Sequence, residues 1–135
     1  MTTLTIIRDL AKELLTKSEG GTYRYILGLA GAPAAGKSTV ARLLKDMSDE
    51  LSPGIAVVAP MDGFHRRNDE LLQMGLWELK GIPATFDADA FLAKLEEIQD
   101  GNRRVGWPTF DRTIDEPTED GVFIEPEHKI VIVEG

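Results

Sequence analysis

Two glycines, a lysine and a serine stand at the spacing G-x-x-x-x-G-K-[ST] in the run Gly31-Ala32-Pro33-Ala34-Ala35-Gly36-Lys37-Ser38. Small residues let successive backbone N–H groups curl around a phosphate without side-chain obstruction. Gly36 permits a tight entry into a helix whose positive end faces the anion. In such a loop Lys37 adds a full charge to the β- and γ-phosphates, and the Ser38 hydroxyl is a ligand for Mg²⁺. The nucleotide-binding set read here is Gly31, Ala32, Pro33, Ala34, Ala35, Gly36, Lys37, Ser38 and Thr39. A Gly/Ala-rich strand-to-helix turn with no ligand is the competing reading of the same residues. The apolar run before the loop and the helical spacing after it speak for the phosphate. G-x-G-x-x-G does not occur in this region, which argues against a dinucleotide-binding turn.

A second stretch, "APMDGFHRRN", puts Asp62 directly after an apolar run. If that run is a strand of an open parallel sheet, Asp62 lies at the end where ligands sit. A carboxylate there can take the proton of a substrate hydroxyl as it attacks a γ-phosphate. Asp-Gly also favours turns, so a loop aspartate without chemistry is the alternative on spacing alone. Phe64, His65 and Arg66 follow and could line an acceptor pocket. His65 reads equally as a polar loop residue, and Arg67 as a solvated one. His128, far from any motif, reads as surface, while Trp77 and Trp107 are packing residues or pocket walls.

The elements that would position these residues follow from periodicity. Leu4, Ile7, Leu10, Leu14 and Leu15 recur at helical spacing, so 3–18 is predicted as a surface helix stopped by "GG". Residues 23–30 and 55–61 are predicted as buried strands, and 37–48 as a helix between them. "NDELLQM" is a short helical segment ended by Gly75. Residues 88–99 form a helix with Asp87 as N-cap and an apolar stripe of Phe91, Leu92, Leu95 and Ile98. A strand is expected near 103–107, "DEPTEDG" as an acidic loop, and "HKIVIVEG" as a third buried strand. Apolar strands alternating with helices predict an α/β fold, a parallel sheet with helices on both faces. The stop at Glu134-Gly135, directly after a strand, leads us to expect a polypeptide truncated at the C-terminus.

Composition narrows the class. The 135 residues carry net charge −8 and 42% apolar content, enough for one soluble domain with a core. No apolar stretch is long enough to span a bilayer, and Arg8, Asp9, Lys12 and Glu13 interrupt any signal-peptide core, so no membrane partner is expected. The absence of cysteine removes disulfides, thiolate metal sites and cysteine nucleophiles, and fits a cytoplasmic setting. The acidic balance argues against nucleic acid as a partner, although a local cluster of N–H groups and cations can still bind one small anion.

"GAPAAGKST", "MDGFHRRN", "KGIPATFDADAF", "PTFDR" and "IVIVEG" occur in this order from about residue 23 to the end. Together they resemble the P-loop kinases of the uridine kinase, phosphoribulokinase and pantothenate kinase group, and most nearly its bacterial nucleotide kinase-like or fructokinase-like members. The resemblance implies a P-loop NTPase-type fold and transfer of the ATP γ-phosphate to a hydroxyl of a small metabolite, with Mg²⁺. It implies Asp62 as the catalytic carboxylate alongside Lys37, and Glu134 acting on the metal directly or through water, with Ser38. Asp87 matches a position near the acceptor and is equally well placed as a helix cap. Arg112 falls in the same substrate-binding group as Phe64, His65, Arg66 and Asp87. Pantothenate kinases carry tyrosine-serine-histidine where this chain has Phe110-Asp111-Arg112, and uridine kinases space their acidic segment differently. A sugar or sugar-like polyol is therefore favoured narrowly over a nucleoside or a pantothenate-like acceptor. The resemblance also implies one kinase domain over 1–135 without the arginine-bearing lid, and a homodimer. Two further readings stay open: a nucleotide-binding module without transfer, and a plain NTPase.

Overall fold

The structure, a computed structural model, describes residues 2–20, 22–31, 36–75 and 85–135. Ala32, Pro33, Ala34 and Ala35 of the loop, and Trp77, lie outside the described residues.

Helix α1 (Thr3–Ser18) is capped by the Thr2 hydroxyl, which accepts from the Thr5 N–H at 3.2 Å. Its buried stripe is Ile7, Ala11, Leu14 and Ser18, whereas Leu4, counted in the expected stripe, is 58% exposed. Strand β1 (Tyr25–Leu29) leads through the loop to α2 (Lys37–Leu51), and β2 (Ala56–Pro60) follows. A 3₁₀ turn (Asp62–Phe64) and α3 (Asn68–Met74) come next; α3 ends at Gly75, whose φ of 72° is one that glycine adopts without strain. After α4 (Ala88–Ile98) come β3 (Val105–Asp111), β4 (Glu116–Ile124) and β5 (Ile130–Glu134).

The described strands form a parallel sheet in the order β1-β5-β2 and a separate antiparallel hairpin, β3–β4. Alternation along β5 explains why the sheet is covered twice. Ile130 and Ile132 join Ile7, Leu14, Ala41 and Leu44 beneath α1 and α2. Val131 and Val133 face the other way, among Val57, Phe64, Ile98, Val105, Trp107 and Ile124. That second face is shared between α4 and the hairpin.

The hairpin corrects one expectation: "DEPTEDG" is not a loop but the last residue of the turn and the first two thirds of β4. Glu116 accepts from the Asn68 N–H at 2.9 Å and Glu119 and Asp120 border the space beside α4, while Val122 and Ile124 carry the buried end of the strand. The turn is made by Arg112–Asp115, with Asp115 at a φ of 54°. Strand β3 also runs past the expected 103–107, with an irregularity between Trp107 and Thr109 at Pro108, which has no N–H to donate.

Trp107 is a packing residue. It is fully buried, lies edge-on to Phe64 at 5.0 Å, and its indole Nε1 donates to the Pro60 carbonyl at 2.7 Å. This ties the hairpin to the end of β2, immediately ahead of Asp62.

His128 is not a surface residue: it is half-buried, and its Nδ1 accepts from the Glu125 N–H at 2.9 Å. Burial holds its pKa below the ordinary value, against the opposing pull of Glu127, Glu125 and Asp49 and with the help of Arg24. Arg24, only 5% exposed, donates to the carbonyls of Ile98, Asp100, Arg103, Glu125 and His128. One guanidinium thus caps the end of α4 and joins it to the β4–β5 turn.

Candidate functional site

The phosphate-loop residues that are described sit at the carboxyl end of β1. Gly36 takes a φ of 78° as N-cap of α2, a left-handed conformation that favours glycine. Among the described residues no side chain caps this helix, and its first turn contains no acidic residue. The N–H groups of Lys37, Ser38 and Thr39 stand at the positive end of the helix dipole without a partner among the described residues. Lys37 Nζ lies 3.4 Å from the Gly31 carbonyl oxygen, folded back across the loop.

Glu134 closes β5, and its register fixes the site. Leu29 of β1 and Pro60 of β2 both pair with Glu134, so the loop, Glu134 and the chain leading to Asp62 leave one edge of the sheet side by side. At about 4.8 Å between neighbouring strands, Leu29 and Pro60 are separated by about 10 Å. The Ser38 hydroxyl donates to Glu134 Oε1 at 2.9 Å. Both are hard oxygen donors, and cis ligands on an octahedral Mg²⁺ with bonds of about 2.1 Å would stand about 3.0 Å apart. The pair therefore fits a magnesium ion. Among the described residues no group of three His, Asp or Glu side chains could hold a metal alone. Phosphate oxygens and water would complete the shell.

Asp62 opens the 3₁₀ turn, which is anchored by the Met61 N–H donating to the Glu134 carbonyl at 2.8 Å. Gly63 lies so close to the hairpin that a Cβ there would come within 2.2 Å of the Pro108 carbonyl oxygen. The Asp62 carboxylate meets Arg112 Nη2 at 3.5 Å, and its carbonyl is 2.7 Å from His65 Nδ1. The Asp111 carboxylate accepts from the Thr113 hydroxyl at 2.6 Å and from its N–H at 2.9 Å, bonds that hold its pKa below the usual value. They also fix the turn that carries Arg112.

Two clefts adjoin at His65 and Arg66. One, of about 240 Å³, contains Asp62, Phe110, Arg112 and Asp115. The other, of about 510 Å³, runs between α4 and the hairpin and includes Asp87, Lys94, Glu97, Pro117 and Glu119. Phe64, 4% exposed, is its floor and belongs to the core through edge contacts with Phe86, Phe91 and Trp107. Asp87 caps α4 through Oδ1, which accepts from the Ala90 N–H at 3.1 Å, and its Oδ2 faces Arg66 at 3.7 Å on the cleft wall.

The structure thus brings Ser38 to Glu134, and Asp62 to His65 and Arg112, while Arg66 and Asp87 join on the neighbouring wall. Sequence reasoning missed Lys94, Glu97 and Glu119. The first two share a face of α4 with Ala90, a small residue that leaves the cleft open, and that spacing was the available signal.

No protein-family model matches the chain. It is 38% identical over 120 residues to a candidate uridine kinase of Schizosaccharomyces pombe, covering 83% of this chain and 50% of the relative. It is 36% identical over 126 residues to a pantothenate kinase of Nocardioides sp., covering 92% of this chain and 38% of the relative. Among solved structures, a candidate fructose transport system kinase from Silicibacter sp. TM1040 superposes with a TM-score of 0.82 at 33% identity, over 100% of this chain and 63% of that one. The chain therefore spans half or less of these curated relatives. The resemblance read from the motifs holds: the homologues are named as uridine and pantothenate kinases, and the parallel sheet flanked by helices is the fold of P-loop kinases.

Proposed function

We propose that this chain is the nucleotide- and acceptor-binding core of a small-molecule kinase that transfers the γ-phosphate of ATP to a hydroxyl of a sugar, nucleoside or pantothenate-like metabolite. The observation that carries the reading is the shared register of Leu29, Glu134 and Pro60, which sets the phosphate loop, a metal-competent carboxylate and Asp62 along one sheet edge.

In this reading the open N–H groups at the start of α2 and the Lys37 ammonium hold the β- and γ-phosphates. Ser38 and Glu134 would hold a magnesium ion, which when bound would supply charge neutralisation for the phosphates. Asp62 takes the proton from the acceptor hydroxyl while that oxygen bonds to the γ-phosphorus. The bond from the γ-phosphorus to the β–γ bridging oxygen breaks, and ADP leaves with its electron pair. His65, Arg66, Asp87 and Arg112 line the acceptor side above Phe64. A cytoplasmic homodimer completes the proposal, with light scattering as the check on assembly. Among the described residues no helix is long and apolar enough to cross a membrane.

Coupled ADP release with Mg·ATP, measured with hexoses, pentoses, nucleosides and pantothenate and with no acceptor, tests the reading. Release that depends on one acceptor class supports it. Release without acceptor makes the protein an NTPase, and nucleotide binding without release makes it a binding module.

A further inference from the structure

Arg112 stands at the tip of the hairpin with its side chain 80% exposed, yet beside the residue read as the base. Among the described residues its polar partner is Asp62, at 3.5 Å, and its guanidinium lies over the Phe110 ring at 5.6 Å. A guanidinium carries five N–H donors in a planar fork that matches a carboxylate or phosphate. One long contact leaves most of that capacity unused. The neighbouring cation, Arg66, differs: it is engaged by Glu70 at 3.8 Å and Asp87 at 3.7 Å.

Resting on the kinase reading above, we infer that Arg112 selects acceptors that carry an anionic group, carboxylate or phosphate, next to the hydroxyl to be phosphorylated. An anion of the acceptor competes for the fork and forms the shorter, bidentate contact that Asp62 does not supply. The Asp62 carboxylate is then left to the hydroxyl. A neutral polyol offers nothing that displaces the Arg112–Asp62 pair. The turn geometry around Asp111 and Asp115 holds the arginine at the cleft mouth.

The test pairs probes that differ in the anion alone: glycerate against glycerol, and fructose 6-phosphate against fructose. Binding to the intact protein is measured by calorimetry and turnover by ADP release, in the wild type, Arg112→Gln and Arg112→Lys. At least one anionic probe should bind more tightly than its neutral partner, and the pair that responds identifies carboxylate or phosphate. Arg112→Gln should weaken that probe by about 10- to 100-fold through KM or Kd, with the affinity for ATP retained and partial recovery in Arg112→Lys. Unchanged melting of Arg112→Gln, expected for so exposed a side chain, excludes misfolding as the cause.

Equal binding within both pairs overturns the inference, as does an equal loss of kcat for every acceptor. Turnover of an anionic acceptor unaffected by Arg112→Gln also overturns it while leaving the kinase reading intact. Conversely, Arg112-dependent binding of an anionic probe without any ADP release upholds the inference and defeats the kinase reading.

Discussion

Ser38 and Glu134 are separated by 96 positions in the chain, and their side-chain oxygens by 2.9 Å. The contact joins the first turn of α2 to the last residue of the central strand β5. It therefore ties the start of the helix that follows the phosphate loop to the sheet edge.

Because the proposal gives this pair to magnesium, Glu134→Gln should raise the Mg²⁺ concentration needed for tight nucleotide binding by about 10- to 100-fold. Nucleotide titrations at several Mg²⁺ concentrations check it. An unchanged requirement would remove Glu134 from the metal site.

Gly63 offers a test of positioning. A methyl group there meets the Pro108 carbonyl oxygen at 2.2 Å, and that atom is backbone, so the hairpin or the 3₁₀ turn must shift. Gly63→Ala should cost about 1–3 kcal/mol and displace Asp62, lowering turnover more than nucleotide affinity. Denaturant unfolding and parallel ATP titrations separate the two effects. Loss of nucleotide affinity equal to the loss of turnover would contradict this division.

Local features were legible in the sequence for a physical reason. The bounds of α1, the Asp87 cap and the Gly75 stop depend on near neighbours, as does the open N-terminus of α2. The hairpin was not legible, because the acidic run of β4 shows no alternation of apolar and polar residues that would mark a strand. With β4 read as a loop, Glu119 could not be seen facing α4, nor could the sequence bring Arg112 beside Asp62. Arg24 was illegible for another reason: its acceptors are backbone carbonyls, which no residue identity announces.

Arg24 therefore carries its own prediction. Arg24→Lys replaces a five-donor fork with a three-donor ammonium and leaves buried carbonyls without partners. The expected loss is about 2–4 kcal/mol in urea unfolding, with the end of α4 exchanging its amide hydrogens sooner. Stability within about 0.5 kcal/mol of the wild type would show that the carbonyls find other donors.

His128 gives a pH dependence. Burial lowers its pKa in the folded protein, so the unfolded chain binds the proton first as pH falls. The stability it contributes is complete above its ordinary value near 6.5 and is lost as pH falls through the depressed folded value. Protonation also removes the Nδ1 acceptor used by the Glu125 N–H. Between pH 8 and pH 5 the wild type should lose more thermal stability than His128→Gln. Parallel losses in the two proteins would contradict the assignment.

Asp62 is proposed to take the acceptor proton, and Asp62→Asn isolates that role. ATP affinity and acceptor-dependent ADP release are measured on the same preparations. Affinity should stay within a few-fold of the wild type while turnover falls by about 10²- to 10⁴-fold. Turnover retained in Asp62→Asn would contradict that role.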